Sequence, residues 1–296
     1  MTISEKDWIA SLSRDRPVLI AGPTASGKSA LALKVAEHVK GPIVNADALQ
    51  VFSDWRILTA RPSPEDEAAH PHKLYGHVPG NASYSVGHWL RDIRPLLTST
   101  PIIVGGTGLY FSALTEGLAD IPPTPDHIRQ EAMKRVATGD IQGLLDALDP
   151  DTRTRIDQHN PMRIQRAWEV AQSTGKGLAA WQDATPDPDL PLTRAQAVLL
   201  QAPKDWLTPR IERRFTEMID AGALDEVRDN VPAWRPDLPS AKAIGARELV
   251  AHVKGEMSLD AAIGAAIVQT RQYAKRQRNW FRSRMQNWTL IDASAM

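Results

Sequence analysis

Eight consecutive residues near the start of the chain, Gly22-Pro23-Thr24-Ala25-Ser26-Gly27-Lys28-Ser29, satisfy G-x-x-x-x-G-K-[ST] at every fixed position. Glycines let the backbone curl so that several N–H groups converge, and a helix N-terminus behind them favours an anion. Lys28 adds a point charge and Ser29 a hydroxyl suited to magnesium, so the stretch is built for a diphosphate or triphosphate. The pattern does not say which phosphorylated compound it takes. Further on, Asp47 could serve as general base, hold magnesium through water, or simply cap a helix. Gln50 carries an amide able to read a base or sugar edge. Gly105-Gly106-Thr107 pairs two residues that let a ligand approach the backbone with one hydroxyl, although a tight turn needs the same glycines.

These groups need elements that bring them together. Val18–Ala21 reads as a short buried strand entering the phosphate loop, and a helix starts at Ser29. Gly41–Ala46 reads as a second strand ending at Asp47, Lys73–Val78 as a third, and Pro101–Val104 as a fourth running into Gly105. Strands alternating with helices predict a parallel α/β sheet covered on both faces, whose ligands lie beyond the carboxyl ends of the strands. The phosphate loop, Asp47 and Gly105-Gly106-Thr107 all fall at that edge.

The texture changes near Leu118. Ile121-Pro122-Pro123-Thr124-Pro125 is a stiff linker, and a second Pro-rich stretch runs from Thr185 to Pro191. Only helices are expected between them, with an apolar face through Ile128, Met133, Val136, Leu144, Leu145 and Leu148. Ala197–Gln201 reads as a strand returning to the sheet and Trp288–Ile291 as a last one. The predicted architecture is a phosphate-loop parallel sheet core with helices on both faces, formed by residues 1–117 and 190–296, and a helical insertion at 118–189.

The formal net charge is +0, so binding to nucleic acid must come from local asymmetry. Between Asp260 and Asp292 there is no acidic residue, while Arg271, Lys275, Arg276, Arg278, Arg282 and Arg284 are interleaved with Tyr273, Trp280, Phe281 and Trp288. Cations neutralise phosphates and aromatics stack on bases, so this helix reads as an RNA footprint; the alternative is a solvated basic face with its aromatics in the core. Arg163 with Arg166, and Arg210 with Arg213 and Arg214, form two more basic clusters. The absence of cysteine excludes disulfides, thiol catalysis and cysteine-based zinc sites. The eight histidines lack metal spacing. No apolar run approaches a membrane span and Met1–Trp8 is unlike a signal peptide, so a cytoplasmic location is the expectation.

The set of motifs resembles that of the tRNA dimethylallyltransferases, also called tRNA isopentenyltransferases. The phosphate loop is similar to their GPTASGK[ST], Asn45–Phe52 to x-x-D-S-x-Q-[VI]-[YF], and Thr59–Pro62 to T-A-[KR]-P. Pro71–Leu74 resembles P-H-x-L, Val104–Tyr110 resembles V-G-G-T-G-x-Y, and Pro161–Ala167 resembles the segment ending R-[IL]-x-R-A. Ile244–Glu248 is similar to I-G-Y-[KR]-E and Thr270–Gln277 to T-R-x-[YL]-A-K-R-Q, so the likeness runs in order along nearly the whole chain.

That resemblance implies transfer of a dimethylallyl group from dimethylallyl diphosphate to the exocyclic amine of the adenosine 3′ to the anticodon of tRNA. The phosphate loop, Gly22 to Ser29, would then hold the diphosphate of the donor, with magnesium on Ser29; ATP offers the same oxygens, so weak ATP binding is allowed. Asp47 would take the proton of the attacking amine, and Thr107 with Arg210 and Arg214 would stabilise pyrophosphate. Contacts to the anticodon stem-loop would come from Asp47, Ala48, Leu49, Gln50 and Thr107, from Arg129, Met162, Arg163, Ile164, Gln165 and Arg166 of the insertion, and from Lys242, Arg247, Lys275 and Arg276. The bacterial type is implied, consistent with zero cysteines, which leave out the zinc finger of some eukaryotic relatives, and a monomer is the expectation. Ala48 in place of Ser, Leu58 in place of Gly, and Lys242 and Ala246 depart from the family pattern, without removing a charge carrier. Three rivals share parts of this pattern: a small-molecule kinase, an enzyme prenylating free adenine nucleotides, and an RNA-binding NTPase switch.

Overall fold

The structure, a computed structural model, describes residues 3–296. Six strands form one sheet: β1 (Val18–Ala21), β2 (Ile43–Asn45), β3 (His72–Lys73), β4 (Ile102–Gly105), β5 (Gln196–Gln201) and β6 (Thr289–Asp292). They stand in the order β3-β2-β4-β1-β5-β6, and every pairing is parallel. Val18 to Ala21 and Ile102 to Gly105 are buried without interruption, as expected of central parallel strands covered on both faces. The register sets Ala21 opposite Gly105 and Asn45 opposite Val104, so β1 and β4 end level and β2 one residue earlier.

Helices close both faces. In chain order the first five are α1 (Glu5–Ala10), α2 (Lys28–Val39), α3 (Pro64–Ala69), α4 (Val86–Ile93) and α5 (Gly108–Glu116). Leu31, Val35 and Val39 of α2 recur every fourth residue and join Val18, Ile20, Ile102, Val104, Val198 and Leu200 in one core.

The described chain divides into two compact units, Met1–Thr115 with Leu190–Met296, and Glu116–Asp189. The second holds α6 (Asp126–Ala137), α7 (Ile141–Asp146), α8 (Pro150–Arg155), α9 (Pro161–Thr174) and α10 (Leu178–Asp183), around Ala132, Leu144, Leu145, Leu148, Ile164, Ala167 and Trp168. Asp140, Asp149 and Asn160 start three of these helices by accepting N–H bonds of the first turn. Met133 departs from the expected apolar face: it is 56% exposed.

After β5 the first unit continues through α11 (Lys204–Asp220), α12 (Ala223–Asn230), α13 (Ala246–Val253) and α14 (Leu259–Arg284). Ala262, Ala266 and Ala274 are buried on α14, and their small size lets this 26-residue helix lie close to its neighbours.

The third strand is shorter than the expected Lys73–Val78. It ends at Lys73, because Leu74 turns into the left-handed region at φ 62° and Gly76 follows at φ 55°. Val78 rejoins only through an isolated bridge to Phe52.

Candidate functional site

The phosphate loop leaves β1 and turns into α2. Ala25 adopts φ 61° and Gly27 φ 88°, which aims the loop amides inward before the helix begins at Lys28. Lys28 reaches back toward the Pro23 carbonyl at 3.4 Å. Burial, then the charge of Arg214, push the Lys28 ammonium down to about 8, with Asp47 acting the other way. Ser26 Oγ is buried inside the loop without a protein partner.

Asp47 stands two residues beyond β2, in a turn rather than at a helix start. Buried Asn45 fixes this turn: its Oδ1 accepts the Asp47 N–H at 2.8 Å and its Nδ2 donates to the Asp47 carbonyl at 2.9 Å. Asp47 Oδ1 accepts the Leu49 N–H at 3.0 Å. Thr107 Oγ1 accepts the Ala48 N–H at 2.9 Å, so its hydroxyl supports the turn that carries Asp47.

Lys28, Asp47, Arg214 and Thr24 line one end of an open cavity. Leu49, Leu58, Ile211, Phe215, Met218 and Ile244 make its apolar wall, with Gln50, Thr59, Thr270 and Tyr273 between. Burial, then the Asp47 charge, push the Tyr273 hydroxyl up. A second pocket, sharing Ala25, Lys28 and Arg214 with the first, is lined by Ala25 to Ala30 and by Arg210, Arg213, Arg214 and Glu217. Arg210 Nε donates to the Ala25 carbonyl at 3.0 Å and its guanidinium lies over Trp206. Burial lowers the Arg214 guanidinium from its ordinary value, opposed by Asp47, and an arginine so placed keeps its charge. Ser29 lines the second pocket with its side chain exposed. A hydroxyl there, in one pocket with the Glu217 carboxylate, is a hard-oxygen donor set of the kind that would hold magnesium beside a bound phosphate. An all-protein cage is not offered: among the described residues no three acidic, histidine or cysteine side chains gather.

Several expected roles change. Gln50 faces the cavity, but its Nε2 donates to the Thr59 and Ala60 carbonyls at 2.8 and 2.9 Å, so only its amide oxygen is left to meet a ligand. Gly105 at the end of β4 and the glycines that follow it make room for protein, not for a ligand. A Cβ at Gly105 would lie 2.1 Å from the Ala46 carbonyl oxygen, one at Gly106 2.3 Å from Gln277 Nε2, and one at Gly108 2.2 Å from the Trp280 ring. Thr107 is not in the cavity wall. Phe281, on the inner face of α14, and Trp288, beyond the end of that helix and edge-on to the Phe111 ring, are core residues, 2% and 7% exposed.

In the second unit, Arg129, Met162 and Arg163 are exposed. Ile164 and Gln165 are corrections to the expected RNA contacts. Ile164 is fully buried in the insertion core, and Gln165 is 7% exposed with its Nε2 on Glu169 Oε1 at 2.8 Å, because their helical positions point inward. Arg166 donates to Thr124 Oγ1 at 2.7 Å and lies 3.7 Å from Glu169. Lys242, Arg247, Lys275 and Arg276 are exposed on the first unit. Sequence reasoning gave Tyr273 only as an aromatic of the basic helix and Gln277 only as the end of a motif, with no role at the site; a polar residue on the inward stripe of α14, among Ala266, Ala274 and Phe281, was the signal available.

Fold and site define a class: an α/β phosphate-loop enzyme whose anion cradle opens onto an apolar wall with a carboxylate beside it. Residues 50–284 match the IPP transferase family and residues 16–75 the isopentenyl transferase family. The chain is 60% identical to a tRNA dimethylallyltransferase of Dinoroseobacter shibae over 286 residues, 96% of this chain and 97% of that one. A tRNA isopentenylpyrophosphate transferase of Bacillus halodurans superposes with a TM-score of 0.65 at 31% identity, over 94% of this chain and 90% of that one. A eukaryotic dimethylallyltransferase acting on tRNA shares the fold, with a TM-score of 0.77 at 24% identity over 94% and 73%. The chain belongs to the tRNA dimethylallyltransferase family.

Proposed function

We infer that the chain transfers a dimethylallyl group from dimethylallyl diphosphate to the exocyclic amine of the adenosine 3′ to the anticodon in tRNA, releasing pyrophosphate. The observation that carries this reading is the two-sided cavity. Its charged end, Lys28 with Arg214, suits a diphosphate, and its apolar wall from Leu49 to Ile244 suits a short hydrocarbon tail. In the reaction the amine nitrogen forms a bond to the first carbon of the prenyl group. The bond from that carbon to the diphosphate oxygen breaks, its electrons leaving with pyrophosphate. The amine proton passes to the Asp47 carboxylate, which lines the same cavity as Lys28.

Lys28 and the loop amides stabilise charge growing on the bridging oxygen, and Arg210 and Arg214 receive the departing pyrophosphate in the second pocket. Magnesium, when bound, neutralises part of the diphosphate charge, and Ser29 would hold it. Thr107 acts on Asp47 through the Ala48 amide. The target adenine must leave its stack to reach Asp47, which makes a splayed anticodon loop the natural substrate. Exposed Arg129, Met162 and Arg163 on the insertion, and Lys242, Arg247, Lys275 and Arg276 on the first unit, are the surfaces offered to that RNA.

The test is nucleoside mass analysis of unmodified tRNA after incubation with magnesium and dimethylallyl diphosphate, ATP or GTP separately. Only the prenyl donor should add mass, on the adenosine beside the anticodon. Phosphorylation of a small metabolite, or tRNA-stimulated ATP hydrolysis without mass gain, would overturn the assignment.

A further inference from the structure

Gln277 is buried, 6% exposed, and both ends of its amide are committed. Its Oε1 accepts the Thr24 N–H at 2.9 Å, and its Nε2 donates to the Gly106 carbonyl at 2.9 Å. The orientation is fixed by the neighbours, because an N–H can only donate and a carbonyl can only accept. One side chain from α14 therefore ties the phosphate loop after β1 to the loop after β4. The second of those loops continues into Thr107, whose hydroxyl holds the Ala48 amide of the Asp47 turn. Gly106 is shaped for this contact: a Cβ there would sit 2.3 Å from Gln277 Nε2 and 3.3 Å from Asp47 Oδ2. The acid-bearing turn and the anion-bearing loop thus share one buried link.

We propose that Gln277 is a positioning residue for the transfer reaction, one that sets the distance between the phosphate loop and Asp47 by clamping Thr24 to Gly106. The proposal rests on the assigned prenyl transfer. In-line displacement needs the nucleophile, its base and the leaving group in one geometry, and a misplacement of about 1 Å can cost about 100-fold in rate. The clamp works without touching substrate. It takes the Thr24 N–H out of the anion cradle and leaves the later amides, Lys28 and Ser29 for the phosphate. Tyr273, one helical turn earlier on α14, lines the cavity, and the Thr107 and Gln277 side chains both bear on its hydroxyl. The inner stripe of α14 is therefore part of the positioning apparatus as well as a packing surface.

Two variants test this, assayed in the full-length protein with tRNA and dimethylallyl diphosphate. Gln277→Met is close in volume and removes both hydrogen bonds; it should lower kcat by roughly 10–100-fold while the donor Kd stays within about threefold. Gln277→Glu keeps the acceptor toward Thr24 but sets a carboxylate oxygen against the Gly106 carbonyl, near Asp47. Protonating the introduced carboxyl restores a donor. The ratio of its kcat to that of the unaltered enzyme should therefore rise at least tenfold as pH falls from 8 to 6, tracking the introduced acid. A merely packed side chain would show no such rescue. Unaltered kcat in Gln277→Met, or a pH-independent ratio in Gln277→Glu with both variants melting lower, would overturn the clamp. Absence of transfer by the unaltered enzyme would instead count against the assigned reaction, so the two failures are distinguishable.

Discussion

Two short stretches of this chain carry candidate substrate contacts and use them in opposite ways. At the sheet edge, Asp47, Leu49 and Gln50 all line one cavity. On α9, Met162 and Arg163 are exposed, Ile164 and Gln165 are buried, and Arg166 is tied to Thr124. The difference is backbone geometry. A helix turns about 100° per residue, so five consecutive positions must be shared between core and solvent. The Asp47 turn has no such period. It is pinned by Asn45 from below and by Thr107 from the side, and successive side chains can face one point. Chemistry collects where side chains hold the backbone; surface contact collects on every third or fourth residue of a helix whose other residues hold it up.

The largest effect should come from the pinned turn. Asp47→Asn keeps an oxygen for the Leu49 N–H and so keeps the turn, but it removes the base. Single-turnover transfer should fall by about 10²–10⁴ with donor Kd nearly unchanged. A variant retaining more than a third of the rate would make Asp47 a structural residue and erase the contrast drawn above.

On α9 the next effect is one of stability. Ile164→Ala empties a fully buried position and should cost about 2–5 kcal/mol in the unfolding of the insertion. Its neighbour Met162, 64% exposed, should lose less than about 0.5 kcal/mol on the same change. Chemical denaturation of both variants, followed by far-ultraviolet dichroism, compares them directly. Equal losses would mean that α9 is not divided between core and surface.

How much of this could be read beforehand follows the same divide. The phosphate loop, Asp47 and the central strands β1 and β4 were legible because loop motifs and buried apolar runs are local signals. Ile164 and Gln165 were misplaced because a motif written as consecutive letters hides the helical period. Gly105 and Gly106 were read as room for a ligand or as a tight turn, whereas the space belongs to the Ala46 backbone and Gln277, as that at Gly108 belongs to Trp280. The Gly106–Gln277 and Gly108–Trp280 contacts join residues more than 150 positions apart, which no local pattern encodes. Leu58, a departure from the family pattern, proved to be part of the cavity wall, for the same non-local reason.

The charged end of the cavity sharpens the comparison through pH. Lys28 is held down to about 8 in the free protein, by burial first and Arg214 second. Below pH 8 the ammonium is present and meets the diphosphate; above it the free site loses its charge. Binding the dianionic group then requires uptake of a proton. Donor kcat/KM should accordingly fall up to tenfold per pH unit above about 8, since it reports groups of the free enzyme. Lys28→Arg does not titrate in this range and should give a flatter alkaline limb at lower overall activity. An unchanged limb in that variant would assign the pH dependence elsewhere.

The smallest effect is the most discriminating for the RNA surfaces. Removing one cation from a phosphate of the RNA flattens the plot of log Kd against log salt by roughly 0.7–0.9. Arg163 is exposed and in no ion pair among the described residues, so Arg163→Gln should lower the slope for tRNA by about that amount, as should Lys275→Gln on α14. Arg155 is the internal control. It lies in the same unit as Arg163, and its guanidinium is already bound to both oxygens of Asp183, at 2.5 and 3.1 Å. Arg155→Gln changes the net charge by the same unit while removing no free cation. If binding follows phosphate contacts, its slope stays at the unaltered value while the Arg163→Gln slope drops. If instead the slope tracks net charge, both variants shift together, and the exposed face of α9 is no more an RNA surface than any other part of the insertion.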